Sequence, residues 1–537
     1  MKSRFGLFLL VVVALAGSLV ITGVAQNGSA FFLPNNLVVS RSVYTDLHNL
    51  KVGDALPPNC TTGNCVHAIS DSTYPFVFNN NLVDGSFGVT SRILLDQITL
   101  AGVPVSTLEV PNSLQNGVPP TKDQMVTSFS SKSELALNLS TDGSAITFMG
   151  YLTSVGSIDV SNSNTPGVVD PTNPVPGQFY RVAAVVDAHG KFRFTETNAY
   201  SGNNGRAAIL NNSGANLIYT AGNAGNGGNP QPDGVIIGAG AQLLFPEVRA
   251  LVAQNPGLPT PVASFNITQL GDTADKIGKD TNFRGLTIFN NVIYYTKGSG
   301  GNGVNTVYFV DTTGDACPDT GKGLPQNGAT LPLVPLDYNP ALVQADGLVP
   351  TNMCILLGFP TALKSKVSFP FGVWFADANT VYVADEGDGD NTFKNGVYTK
   401  AAASHTSGLQ KWVFAQGVWS MQYVLQAGLN LGTPYAIAGY PADPNAATGL
   451  PWSPATDGLR NLTGRHNADG SVTIFAITST VSGNGDQGAD PNLLVTITDT
   501  PSAGAPGAHE AFTVVRAAGF GEVLRGVTLT PGSNNKR

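Results

Sequence analysis

The sequence predicts an all-β ring built from repeated four-stranded sheets, and three observations lead there. First, one strand-like phrase recurs: Phe283-Arg284-Gly285-Leu286-Thr287, Leu459-Arg460-Asn461-Leu462-Thr463 and Leu524-Arg525-Gly526-Val527-Thr528. Looser versions stand at Ser133-Glu134-Leu135-Ala136-Leu137, Gly205-Arg206-Ala207-Ala208-Ile209 and Pro370-Phe371-Gly372-Val373-Trp374. Second, each phrase precedes a turn and a strand rich in β-branched and aromatic residues, as in Val292-Ile293-Tyr294-Tyr295-Thr296 and Val381-Tyr382-Val383-Ala384-Asp385. Third, the last phrase has no strands after it, whereas three strands near the N-terminus have no phrase before them. A repeated strand unit marks a repeat architecture, and joining both chain ends in one sheet removes open edges. The expectation is a β-propeller of four-stranded blades, six in number, with N- and C-terminal strands sharing one blade. Seven blades is the alternative count, and a linear β-solenoid the structural rival.

Taken in order, Met1-Lys2-Ser3-Arg4 is a short positive region, followed by an apolar run from Phe5 to Ala25. This pattern predicts a signal peptide over residues 1–25, a single propeller domain over 26–537 and a secreted protein. A retained membrane anchor is the rival, since about 20 apolar residues span a bilayer. No later stretch is apolar enough to span.

The three orphan strands are read at Asn36–Tyr44, Ile93–Leu100 and Val105–Val110, with a loop over 51–90. Successive phrases lie 65 to 89 residues apart. Four strands need roughly 40–50 residues in common propeller repeats, so the excess is assigned to loops. These are rich in Gly, Pro, Asn and Asp, and no helix is expected beyond a short piece near Leu244–Ala253.

Charged residues are only 12% of the chain, about half the usual fraction. The net charge of −8 argues against nucleic acid, which needs a basic footprint. Four cysteines in an exported chain suggest disulfides, and proximity favours Cys60–Cys65 and Cys317–Cys354. Zinc is the rival, without matching ligand spacing. Asn-x-Ser/Thr sites occur at Asn27, Asn59, Asn138, Asn211, Asn266 and Asn461.

The run Ser368-Phe369-Pro370-Phe371-Gly372-Val373-Trp374-Phe375-Ala376-Asp377, with Gly408-Leu409-Gln410-Lys411-Trp412, Tyr200-Ser201-Gly202-Asn203-Asn204 and Asn36-Leu37-Val38-Val39, resembles a group of secreted bacterial propeller proteins. The similarity covers nearly the whole mature chain. It implies a secreted single-domain propeller and transfers no catalytic residue. More distantly the blade pattern is similar to NHL-like and lactonase-like propellers, a likeness of fold that licenses no function.

Candidate chemistry begins with Arg206, Arg284, Arg460 and Arg525, which hold one phrase position; Phe371 and Glu134 hold it in the other units. Innermost strands line a propeller's channel, so these side chains would ring it. Guanidinium forks bind carboxylate or phosphate bidentately, which predicts an anion site for a uronate sugar. The structural alternative has each Arg bridging neighbouring blades through carbonyls or an acid. His466 is the best-placed general base among six scattered His. The loop Asp385-Glu386-Gly387-Asp388-Gly389-Asp390-Asn391 offers Asp385, Asp388 and Asp390 to calcium, although its spacing is not that of an EF-hand. No G-x-S-x-G elbow, HExxH or phosphate loop is present. The functional expectation is a secreted, monomeric binding or scaffold propeller recognising an extracellular glycan or surface protein. Trp374, Trp412, Trp419 and Trp452 are candidates for its loop faces. The alternative is a lyase or lactonase-type hydrolase acting on an acidic sugar at the channel mouth.

Overall fold

The computed structural model describes residues 30–533 apart from 45–49, 58–59, 61–64, 86, 129–134, 171–172, 174, 224–237, 247–259, 266–281, 299–303, 317–320, 335, 337–351 and 363–367. The expected leader, Glu134, Cys317, Asn27, Asn59 and Asn266 lie outside the described residues.

Six antiparallel sheets form the six blades of a β-propeller. Blade 1 runs from the inside outward as Glu522–Leu529, Leu37–Val43, Thr90–Ile98 and Pro104–Glu109. The C-terminal strand is therefore innermost, and the three N-terminal strands complete its sheet. Its register is continuous from Leu37 opposite Leu529 to Val43 opposite Glu522, broken by one irregularity at Ser40/Arg41. The innermost strands of blades 2 to 6 are Asn138–Leu139, Gly205–Asn211, Phe283–Phe289, Pro370–Asp377 and Ala455–His466. Each begins at the end where the second strand of its blade finishes, here termed the entry end. The long segments 44–89, 152–180 and 386–407 join second to third strands there, so the entry face carries most of the loop mass.

The inner strands touch their neighbours around the circle. Ala136 N–H donates to the Arg206 carbonyl at 3.3 Å, and Arg206 Nη1 to the Phe283 carbonyl at 3.0 Å. A Cβ on Gly285 would overlap the Phe371 carbonyl oxygen, one on Gly372 that of Arg460, and one on Gly526 that of Leu135. The circle closes where Val527 N–H donates to Asn461 Oδ1 at 2.6 Å. This explains the glycine after the phrase position: neighbouring backbones come too close for a side chain. Apolar layers fill the gaps between blades, for example Tyr294 of blade 4 with Phe375 of blade 5 in one cluster, and Tyr382 of blade 5 with Leu459 and Ile474 of blade 6 in another.

The structure corrects the sequence reading in places. The phrase in blade 2 is mostly not strand, because Leu135 adopts φ 67° and the ladder begins only at Asn138. Leu244 ends a strand rather than opening a helix, and 247–253 lie outside the described residues. The loop over 51–90 carries a two-residue ladder, Ala55–Leu56 with Val66–His67, and a 3₁₀ helix, Phe76–Leu82. Cys60 and Cys65 form the expected disulfide, and Cys354 is disulfide-bonded. No helix among the described residues is long and apolar enough to cross a membrane.

Replacing Gly526 by Ala is expected to destabilise the protein by about 1–3 kcal/mol, the usual penalty of forcing atoms into a packed site. Gly85→Ala, where a Cβ meets nothing within 4 Å, should be neutral. Urea unfolding of the two variants checks the contrast.

Candidate functional site at the channel mouth

The phrase position falls at the second residue of the inner strands of blades 3, 4 and 5, at the fourth in blade 1 and at the sixth of twelve in blade 6, counted from the entry end. Glu386 follows directly on Thr380–Asp385, the second strand of blade 5, which finishes at this same end. Its two oxygens take different blades: Oε1 lies 3.3 Å from Arg284 Nη2, and Oε2 lies 3.2 Å from Arg460 Nε. Arg525 Nη2 donates to Tyr44 Oη at 2.6 Å and Nε to Ser42 Oγ at 3.4 Å. The Arg460 guanidinium lies 5.8 Å from the centroid of the Phe371 ring, a cation–π contact between phrase positions of adjacent blades. Burial, reinforced by the charges of Arg525 and Arg284 against the pull of Glu386, holds the Arg460 pKa below its ordinary value.

Arg206 stands apart. Its Nη1 donates to the Phe283 carbonyl and to Asn282 Oδ1, so it bridges blades 3 and 4. His466 is at the far end of its strand, six residues beyond Arg460 and so about 20 Å away at ~3.3 Å per residue. It is exposed and leans on the Trp374 ring with centroids 5.8 Å apart. The structure thus brings together Arg284, Arg460 and Arg525 and separates them from His466. Trp412, Trp419 and Trp452 are buried, so these three pack rather than present themselves to solvent.

Beside the expected calcium candidates Asp385 and Asp388 lies an acid that motif reading did not single out. Asp457, three residues before Arg460, is 2% exposed and accepts the Gly389 N–H on Oδ2 at 2.9 Å. Its Oδ1 is enclosed and has no hydrogen-bond partner among the described residues. Burial first, then the carboxylates of Asp388, Glu386 and Asp385, push its pKa up to about 7 against the Gly389 hydrogen bond. Burial likewise raises Asp385 to about 7, although it accepts from Phe369 N, Ser368 Oγ and Gln410 Nε2 at 2.8–2.9 Å and from Gly387 N at 3.0 Å. Asp388 and Asp390 instead cap successive turns, accepting the N–H of Asp390 at 2.9 Å and of Thr392 at 2.8 Å. No three His, Cys, Asp or Glu side chains among the described residues form a group able to hold a metal ion. The usable sequence signal for Glu386 and Asp457 was topological: both stand at strand ends that a propeller places at the mouth.

The fold is a six-bladed β-propeller, and two of its inner-strand arginines, Arg284 and Arg460, share Glu386 while Arg525 lies close enough to Arg460 to lower its pKa. No protein-family model matches the sequence, and no curated protein matches it. Among solved structures, an ulvan lyase described as a new family of polysaccharide lyase is similar at a TM-score of 0.29. In complex with -[GlcA(1-4)Rha3S]- it shares 12% identity over 83% of this chain and 91% of that one. A second structure of such a lyase shares 10% identity over 91% and 96%, again at 0.29. A superposition that loose carries no argument about activity.

The raised acids fix a pH dependence. Between about pH 4 and pH 7 the folded protein holds protons on Asp385 and Asp457 that the unfolded chain has already released, so stability falls as pH rises through that window. Asp490, buried and also raised to about 7, acts in the same direction. A rise from 3.8 to about 7 corresponds to roughly 4 kcal/mol per group as an upper bound. Asp457→Asn should gain stability over the wild type progressively from pH 4 to pH 7, then hold a constant lead. Chemical denaturation across that range measures it.

Proposed function

We propose that this chain is an extracellular ligand-binding propeller whose channel mouth takes a carboxylate-bearing saccharide. The observation that carries the reading is that Arg284 and Arg460 share the carboxylate of Glu386, with Arg525 close enough to Arg460 to hold its pKa down. Like charges gathered in a buried site destabilise one another, and an incoming carboxylate relieves that repulsion while accepting charge-assisted hydrogen bonds. Each such bond contributes about 1.5–3 kcal/mol, enough that losing one arginine weakens binding about tenfold or more. The leader-like N-terminus supports an extracellular setting. Calcium, suggested by the acidic loop, is not needed for this reading.

A second reading, a lyase or lactonase-type hydrolase on an acidic sugar, is favoured by one feature. Asp457 offers an enclosed carboxyl oxygen near neutral pKa beside the guanidiniums, the condition a general base requires. Turnover of a polyuronate that Asp457→Asn abolishes, with binding retained, would select this reading over binding alone.

Thermal shift on the full chain tests the proposal. Galacturonate or glucuronate oligomers should raise the melting midpoint by a few degrees and neutral gluco-oligomers should not. Arg284→Gln should remove the shift while the protein still melts cooperatively. Equal shifts from acidic and neutral sugars, or an unchanged shift in Arg284→Gln, would refute it.

A further inference from the structure

A separate cleft opens at the seam between blades 6 and 1, away from the channel mouth. It encloses about 500 Å³, within the roughly 300–1,000 Å³ of small-ligand sites. Its physical origin is a change of residue type along blade 6. Towards the entry end, Phe475, Ile477 and Leu494 pack with Ile98 of blade 1 and close the gap. Further along the same strands, Arg465 stands opposite Thr473, and Thr473 opposite Thr498, forming one polar row across three strands. Along this row hydroxyls and a guanidinium replace the apolar side chains, and the cleft opens beside them. The far wall is Leu100 of blade 1, whose neighbouring Gly102 abuts the Val515 carbonyl of blade 6.

The lining chemistry is specific. Thr473 Oγ1 and Thr498 Oγ1 lie 3.2 Å apart, and Asn467 Nδ2 donates to Thr473 Oγ1 at 2.9 Å. These groups both donate and accept, which suits ligand hydroxyls. The backbones of these rows are already paired on both sides in the two central strands, so a peptide cannot add as a further strand. Arg465 is partly exposed and makes no ion pair or side-chain hydrogen bond among the described residues. Glu510 forms part of the wall, its Oε2 accepting the Gly507 N–H at 2.8 Å. Burial, then the nearby Asp499 carboxylate, raises its pKa above the ordinary value. Asp499 is itself held by Lys411 at 3.1 Å and Tyr423 at 2.8 Å.

We infer that this cleft is a second ligand site, for a short acidic saccharide, in which Arg465 takes a carboxylate while Thr473, Thr498 and Asn467 take ring hydroxyls. It stands independently of the channel mouth and shares with it only the class of ligand. Two sites on different faces would let one molecule grip a polyuronate at two points, gaining avidity without new contacts.

Calorimetric titration of the full chain with trigalacturonate tests this. Two molecules should bind per chain, Arg465→Gln or Thr498→Val should remove one of them, and Arg460→Gln should remove the other. Because Arg465 is partly exposed and unpaired, Arg465→Gln should melt as the wild type does. An isotherm unchanged in both Arg465→Gln and Thr498→Val overturns the inference, as does equal binding of cellotriose in the cleft. If Arg460→Gln alone abolishes all heat, the cleft fails and the proposed function stands. If Arg465→Gln alone abolishes it, the cleft stands and the channel-mouth reading fails.

Discussion

Everything in this protein depends on how closely six inner strands approach one another around the axis. A propeller closes only if each blade leaves its neighbour no room to slip, and here contact is backbone against backbone. Gly285, Gly372 and Gly526 each sit where a Cβ would overlap a carbonyl of the next blade. Ser40 adds a relay: it accepts the Gly526 N–H at 2.8 Å and donates to the Leu135 carbonyl at 2.9 Å, tying blade 1 to blade 2. The chain ends are joined by the ladder between Leu37–Val43 and Glu522–Leu529 within blade 1, and that blade meets its neighbours by the same kind of contact as the others. No open edge is left for another chain to pair with at that point.

The same closeness creates the site. The arginines at the phrase position, two of them followed by glycine (Gly285 and Gly526), are carried into a crowded ring. Each then finds a different settlement. Arg206 spends its fork on the next blade, the role a structural bridge would have. Arg284 and Arg460 share Glu386, and Arg525 turns to Tyr44 and Ser42 of its own sheet. One repeated residue thus has two kinds of role, because its neighbours differ from blade to blade. Nearby, Asp385 and Asp457 are buried with no directly paired cation among the described residues. Desolvation dominates and both rest near neutrality.

Blade 5 against blade 6 shows how the interior handles charge where no ligand is expected. Lys411 and Asp499 are fully enclosed, and the remaining capacity of the ammonium goes to Tyr423 and to the carbonyls of Thr500 and Ala503. Removing one partner from such a network would strand a buried charge, so it is retained as a unit. The seam between blades 6 and 1 is the contrast: there the polar row faces open space.

The sequence by itself determined the ring. Strand phrases are local patterns, and counting them with the orphan strands at the other terminus was enough to give six blades and their closure, as well as the Cys60–Cys65 link. It also gave Arg206, Arg284, Arg460 and Arg525 one position in the repeated phrase. Only the tertiary structure decided which groups meet, because the partners are remote along the chain: Arg460 and Glu386 are 74 residues apart, and Arg525 and Ser42 are 483 apart. It separated His466 from the arginines, since a strand's length intervenes, and turned three tryptophans into packing. Asp457 and the cleft beside Arg465 were invisible to motif reading, because burial and the gap between blades arise only when sheets are set side by side.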